Sequence, residues 1–277
     1  MPNPIASFFQ SIGVYTWDLY LVVVNTVTPS KKTGSVVPEG HPGFQGRWPE
    51  YIPPKEGDSR SACPALNAMA NHGIFPRDGK NITFKELSAK VHETYNFAPS
   101  FCFFVPNYAA GFLKRDYNKD KFDLEELSLH NAIEHDGSVT REDAHFNPDQ
   151  SKPHVPFVEE LLASATGKDA DGKPLLTIDD ISRYTAKRRA DSQANNPEFT
   201  LATVHKFFGS SNNATMIRIF GGKVDDLRAM LIDERIPEGW ESSCQWRKGL
   251  TMASFNMTAL KVEKTTEKYE KGAAKKD

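Results

Sequence analysis

Residues 59–73 read Ser59-Arg60-Ser61-Ala62-Cys63-Pro64-Ala65-Leu66-Asn67-Ala68-Met69-Ala70-Asn71-His72-Gly73. A cysteine stands directly before a proline, where a polar loop gives way to a short run with helical apolar spacing. Proline suits the first helical position because its missing N–H has no intrahelical partner there. The pattern predicts a helix opening at Pro64, with the Cys63 sulfur beside free N–H groups at the positive end of that helix. Such surroundings favour thiolate over thiol. A thiolate so placed serves as a nucleophile or a metal ligand, whereas a protonated cysteine is a small buried apolar group.

The segment Ala62-Cys63-Pro64-Ala65-Leu66-Asn67, continued by Asn71-His72-Gly73-Ile74-Phe75-Pro76-Arg77-Asp78-Gly79, resembles the proximal signature of the haem-thiolate peroxidases, the family of the fungal chloroperoxidases and peroxygenases. A second block, Glu134-His135-Asp136-Gly137-Ser138, follows in the family's order, and the likeness runs from about Gly40 to Val262. The resemblance implies a mostly α, single-domain helical, chloroperoxidase-like fold over residues 31–262. It implies haem b with Cys63 as axial iron ligand, the Cys63-Pro64 turn at the haem, and N–H groups of Leu66 and Asn67 bonded to the sulfur. A thiolate ligand pushes electron density onto iron and favours O–O cleavage, so hydrogen peroxide and a small organic substrate are the implied reactants. The family's usual proline before the cysteine is Ala62 here, which should loosen the loop without touching the ligand.

By the same resemblance Glu134, Ser138 and the His135 carbonyl would hold a magnesium ion beside a haem propionate, an all-oxygen set that suits a hard cation. The His135 imidazole would face the distal pocket, steadied by Asp136. Relatives also carry a distal glutamate in a segment resembling Phe-Phe-x-x-Gly-Glu-Ser-Ala. Here the segment is Phe207-Phe208-Gly209-Ser210-Ser211-Asn212-Asn213-Ala214, so the glutamate position falls on Asn212. An amide does not exchange protons as a carboxylate does, and acid–base groups contribute roughly 10²–10⁴-fold. His135 is the first candidate to replace it, since imidazole titrates near neutrality; His205, about two helical turns before Asn212, and Glu198 are the others. The Asn212 pattern looks like an intracellular branch that includes peroxidase-like proteins of fungal polyketide-toxin pathways, which implies a bulky aromatic substrate. It also leaves open a rearrangement or dehydration with little peroxide use, or a haem-binding protein that is not an enzyme.

Tyr95 to Phe104 holds five aromatic residues, among them Phe97 and Phe101, which are candidates to line a haem crevice or to pack the core. Phe207 and Phe208 present the same alternatives. With 277 residues and a net charge of −2 the chain can bury a sizeable core and shows no nucleic-acid footprint. Its three cysteines, an odd number, give no support to a disulfide framework, and Cys102 and Cys244 read as buried or idle thiols. Residues 1–30 form an apolar segment whose 7–27 stretch is interrupted by Gln10 and Asp18. It is a poor signal peptide and a poor membrane span, and an intracellular protein is expected. The segment reads as a helix that packs on the domain, on a second copy or at a membrane surface. Residues 28–58, rich in proline and glycine, read as an extended loop wrapping the haem side. Beyond it the pattern is helical: Thr83-Phe84-Lys85-Glu86 and Thr177-Ile178-Asp179-Asp180 have capping-box spacing, and Asp123 should start a helix burying Leu124, Leu127 and Leu129. Residues 157–165 and 223–231 have helical periodicity, while 214–220 and 260–262 read as strand or helix. Residues 263–277, dense in charge, should be a disordered tail.

Overall fold

The structure is a computed structural model and describes residues 4–273, with side chains from 12 to 272. Nine α-helices are present among the described residues: α1 (Pro4–Val27), α2 (Pro64–Asn71), α3 (Phe84–Tyr95), α4 (Pro99–Phe112), α5 (Val155–Ala163), α6 (Ile178–Asn195), α7 (Thr203–Arg218), α8 (Val224–Leu231) and α9 (Met252–Ala273). Two short antiparallel pairs, Ile82–Thr83 with Lys121–Phe122 and Gly167–Lys168 with Pro174–Leu175, are the only sheets among those residues. The mostly helical expectation holds. Helices α6, α7 and α9 pack together, α3 lies on α4, and α1 crosses α4 and α9.

The capping signals start both helices, with a full reciprocal box at Thr177 and only the Thr83 half of one at α3. Thr83 accepts from the Glu86 N–H at 3.0 Å, and Thr177 and Asp180 close a reciprocal box at the start of α6. Asp123 also closes a box with Glu126, yet the result is a five-residue 3₁₀ turn, Leu124–Ser128, rather than a longer helix. The turn buries Leu124 but leaves Leu129 half exposed, so the register expected for a helical core face is lost after one turn. Residues 214–220 fall largely in α7, and 260–262 lie wholly in α9.

Two other expectations are corrected. The loop 28–58 lies against the C-terminal end of α2 and the 240–249 region, through Ile52 N–H to Asn71 O (2.9 Å) and Trp48 Nε1–H to Trp240 O (2.9 Å), and contributes no wall to the central cavity. The charged stretch from 263 continues as helix to Ala273 because its charges have partners: Glu263 and Glu270 both pair with Arg189, and Thr266 is fully buried. Residues 274–277 lie outside the described ones.

Helix α1 buries a mixed stripe and leaves large apolar side chains on its outward face. Its inward stripe is Val14, Asp18, Leu21 and Asn25, at helical spacing. Asp18 is 1% exposed and accepts from Ser100 Oγ (2.5 Å) and from the Met252 and Ala253 N–H groups (2.9 Å each). A carboxylate thus satisfies the free amides of the first turn of α9, where the helix end is positive. Asn25 donates to Gly249 O and accepts from Lys248 N–H. The outward face carries Ile12, Trp17, Leu19 and Tyr20, all exposed. No described helix is long and apolar enough to cross a membrane.

Candidate functional site

The helices enclose a cavity of about 570 Å³, within the range of small-molecule and cofactor pockets. Cys63 is the residue before the first turn of α2, in extended backbone (φ −87°, ψ 108°), with Pro64 at the first helical position as expected. Its side chain opens into the cavity, beside Pro64, Ala65 and Leu66. Burial pushes the thiol above its usual range; the backbone N–H groups of Leu66 and Ala65, and the Arg141 charge, pull it down. The amides at the start of α2 thus act in the direction that favours thiolate, while burial acts against it. The second amide at sulfur is Ala65, not Asn67, whose N–H donates to the Cys63 carbonyl instead (3.2 Å).

Asn67 holds the loop rather than the ligand. Fully buried, it accepts from Ser61 N–H (2.8 Å) and donates to Ser61 O (2.8 Å) and to Glu234 Oε1 (2.9 Å). Arg141 Nη2–H donates to that same Oε1 at 2.7 Å, and the Glu234 carbonyl accepts from Asn71 Nδ2–H (3.0 Å). Glu234 sits at φ 49°, a left-handed conformation uncommon for glutamate. Burial pushes its carboxyl up to about 7, against the pull of Arg141 and Asn67. His72 is locked away from the cavity, with Nδ1 against Pro49 O (2.6 Å) and Nε2 accepting from Ile236 N–H (3.1 Å).

The Glu134–Ser138 block reaches the same cavity through Glu134, His135, Gly137 and Ser138. His135 Nδ1 lies 2.8 Å from the Asp136 carbonyl, which fixes the proton on Nδ1 and leaves Nε2 a lone pair, with no protein partner among the described residues. Burial drives the imidazole pKa down to about 4, so the ring is neutral at neutral pH. Asp136 steadies it through the main chain only; the Asp136 carboxylate turns away and accepts from Thr200 N–H (2.9 Å). Glu134 Oε2 meets His130 Nδ1 (2.6 Å), while its Oε1 is buried without any partner. Ser138 Oγ accepts from the Thr140 and Arg141 N–H groups (3.2 Å each).

Helix α7 supplies Phe207, Phe208, Gly209 and Asn212 to the cavity wall. His205 does not join them: its Nε2 faces Asn131 O (3.1 Å), outside the cavity. Glu198 is also outside, on the surface beside His145. Of the aromatic run, Tyr95, Phe97, Phe101 and Phe104 line the cavity, with Phe97 and Phe101 stacked at 4.5 Å, whereas Phe103 packs on Tyr117. Cys102 and Cys244 are buried, as expected.

Sequence reasoning passed over Gly209, Arg141 and Glu234. A Cβ on Gly209 would fall 2.9 Å from His135 Cε1 and Nε2, so the ring packs on bare helix backbone. A glycine inside a helical pattern was the available signal; Glu234 carries none, since its role depends on contacts distant in sequence.

The sequence profile of peroxidase family 2 matches residues 49–245, the stretch that contains Cys63, Glu134–Ser138 and Asn212. The chain belongs to that family. Membership implies haem with a cysteine ligand, and Cys63 is the cysteine within the matched region that opens into the cavity beside a helix N-terminus. Among similar proteins, an aromatic peroxygenase of Cyclocybe aegerita is 29% identical over 194 residues, covering 64% of this chain and 51% of that protein. The dothistromin biosynthesis peroxidase of Dothistroma septosporum is 26% identical over 183 residues, 60% of this chain and 43% of that protein. A chloroperoxidase of Leptoxyphium fumago is 35% identical over 100 residues, 34% of this chain and 26% of that protein. This peroxidase-family chain spans about half the length of the first two.

Proposed function

We propose that the chain is a haem-thiolate peroxidase or peroxygenase that uses hydrogen peroxide to oxidise a small, apolar, aromatic organic substrate. The observation that carries this reading is that Cys63 and a neutral His135, with Nε2 free, line one largely apolar cavity. The residues fit the group: an accessible sulfur meets two backbone N–H groups, and aromatic rings wall the space above it. Cys63 would hold the haem iron, with the Leu66 and Ala65 amides tuning its sulfur, and the bound group would supply the two-electron reduction of the O–O bond.

The chain's own residues do the rest. His135 Nε2 takes the proton from one peroxide oxygen and returns it to the departing one, while the Nδ1–H bond to Asp136 O holds the ring's orientation. The Asn212 carboxamide orients the peroxide or its water without exchanging protons. Phe97, Phe101, Phe207 and Phe208 exclude water and offer flat faces to an aromatic substrate. Glu134 Oε1, buried and unpartnered, fits a cation, and we place magnesium there with the His135 carbonyl and Ser138 Oγ as further oxygens. That set holds a single carboxylate, so it forms no His/Cys/Asp/Glu cluster of the kind that is absent among the described residues.

A second reading, favoured by an amide where the family carries a carboxylate, is a rearrangement or dehydration needing little peroxide; a haem-binding protein without turnover is its limiting form. Retained peroxide turnover in Asn212→Ala with loss in His135→Ala supports the first reading, and a gain in Asn212→Glu shows an attenuated site. We also propose that the outward face of residues 7–27, described from residue 12 onward, meets a membrane surface or a second copy; vesicle sedimentation and light scattering test this. The deciding experiment is the carbon monoxide spectrum of the reduced, haem-loaded chain beside Cys63→Ala. A red-shifted Soret band lost in the variant supports the thiolate reading; a histidine-type spectrum or no haem uptake overturns it.

A further inference from the structure

The family profile ends where the cavity does not. It covers residues 49–245, yet the cavity wall also includes Tyr15 from α1 and Met252, Phe255 and Asn256 from α9. Those two helices are fastened to each other and to α4 by one buried carboxylate, Asp18, through Ser100 Oγ and the Met252 and Ala253 amides. Tyr15 lies three residues before Asp18, one helical turn away, so the latch fixes where the Tyr15 ring stands. That ring is 6.3 Å from Phe104, and both are partly exposed, at 50% and 36%. Tyr108, 42% exposed and 5.8 Å from Phe208, extends the same aromatic rim. Aromatic rings at such separations attract a further ring edge-on or offset. A half-exposed tyrosine that adds nothing to the core has its surface available for a ligand entering the mouth.

We propose that Tyr15 is a specificity-determining residue. Helix α1, latched by Asp18, places the half-exposed Tyr15 ring on the cavity lining, and that ring selects substrates whose flat ring system is long enough to reach the Tyr15–Phe104–Tyr108 rim. Single-ring ligands stop short of that rim and are indifferent to it. The inference rests on the oxidation reading for the identity of the ligand as substrate, while the wall itself is a matter of geometry.

The test compares pyrene, an extended ring system, with benzene, in wild type and Tyr15→Ala. Affinity is read from the shift of the haem Soret band in the loaded full-length chain, and from pyrene fluorescence or its competition by benzene in the haem-free chain. Tyr15→Ala should weaken pyrene roughly three- to tenfold, the worth of one or two aromatic contacts, and leave benzene within twofold. Tyr15→Phe, which keeps the ring, should restore pyrene. Asp18→Asn, which loosens the latch, should mimic Tyr15→Ala; if that variant does not fold, the tyrosine pair still decides. Equal changes for both ligands, no change for pyrene, or failure of Tyr15→Phe to rescue would overturn the assignment. A wild type without a thiolate spectrum would sink the oxidation reading alone, because the haem-free comparison still tests the wall.

Discussion

Removing the Glu234 side chain should loosen the loop that presents Cys63. Its carboxylate is 8% exposed and the paired Arg141 side chain 3%, with Asn67, itself fully buried, bonded to the same oxygen. In Glu234→Ala the guanidinium keeps its bonds to Gln150 O (2.9 Å) and Thr140 O but loses its counter-charge. Breaking a buried pair from one side costs about 3–5 kcal/mol, or roughly 6–20 °C of Tm at this chain length. Glu234→Gln keeps an acceptor for Asn67 and should lose about half as much. The double replacement Arg141→Met with Glu234→Met, which removes both charges and fills the space, should recover most of the loss. Melting curves at pH 8 give the first readout. The second is the rate of iodoacetamide alkylation at Cys63 in the haem-free chain, which should rise in Glu234→Ala because Asn67 no longer tethers Ser61 to the 234 segment. A Glu234→Ala variant melting within a degree of wild type, with unchanged alkylation, would refute this account of the loop.

Other outcomes follow from the same geometry. Because burial holds the His135 ring near 4 while the unfolded ring titrates near 6.5, the unfolded haem-free chain binds more protons between those values. Its contribution is therefore full above about pH 6.5 and falls by about 3 kcal/mol as pH drops towards 4; urea unfolding across that window should show a steeper loss in wild type than in His135→Phe, and equal slopes would contradict it. In Gly209→Ala the roughly 1 kcal/mol that alanine gains over glycine in a helix is offset by about 1–3 kcal/mol of overpacking against the buried His135 ring. Tm should therefore stay level or fall slightly, while peroxide turnover drops at least tenfold as the ring 2.9 Å away is displaced; unchanged turnover would count against the His135 role. Glu134→Gln should abolish any magnesium dependence of haem retention measured after chelation, and a dependence that survives the substitution would place the ion elsewhere.

Much of this was legible in the sequence because it is local. Thr83 and Thr177 signal their helices within four residues, and Cys63-Pro64 announces a helix start from two. The Glu134–Ser138 block and Asn212 were found by resemblance and do meet at one cavity. What failed was non-local. Nothing near His205 says that its ring faces Asn131 O, and nothing near Asp136 says that its carbonyl, not its carboxylate, orients His135. The tail from 263 looked disordered by composition because its partner, Arg189, is 74 residues away from Glu263. Glu234 and Tyr15 belong to the same class: their surroundings are assembled from distant segments.

The Asp18 latch has a consequence for how the chain is made. Helix α1 leaves the ribosome well before the Met252 and Ala253 amides that receive Asp18, which lie 234 and 235 residues further along the chain. Until those amides emerge the carboxylate lacks them as partners and the helix lacks α9 as a neighbour, a condition that invites aggregation or chaperone capture. A segment made early then settles late, and Tyr15 takes its place at the cavity only after α9 has emerged.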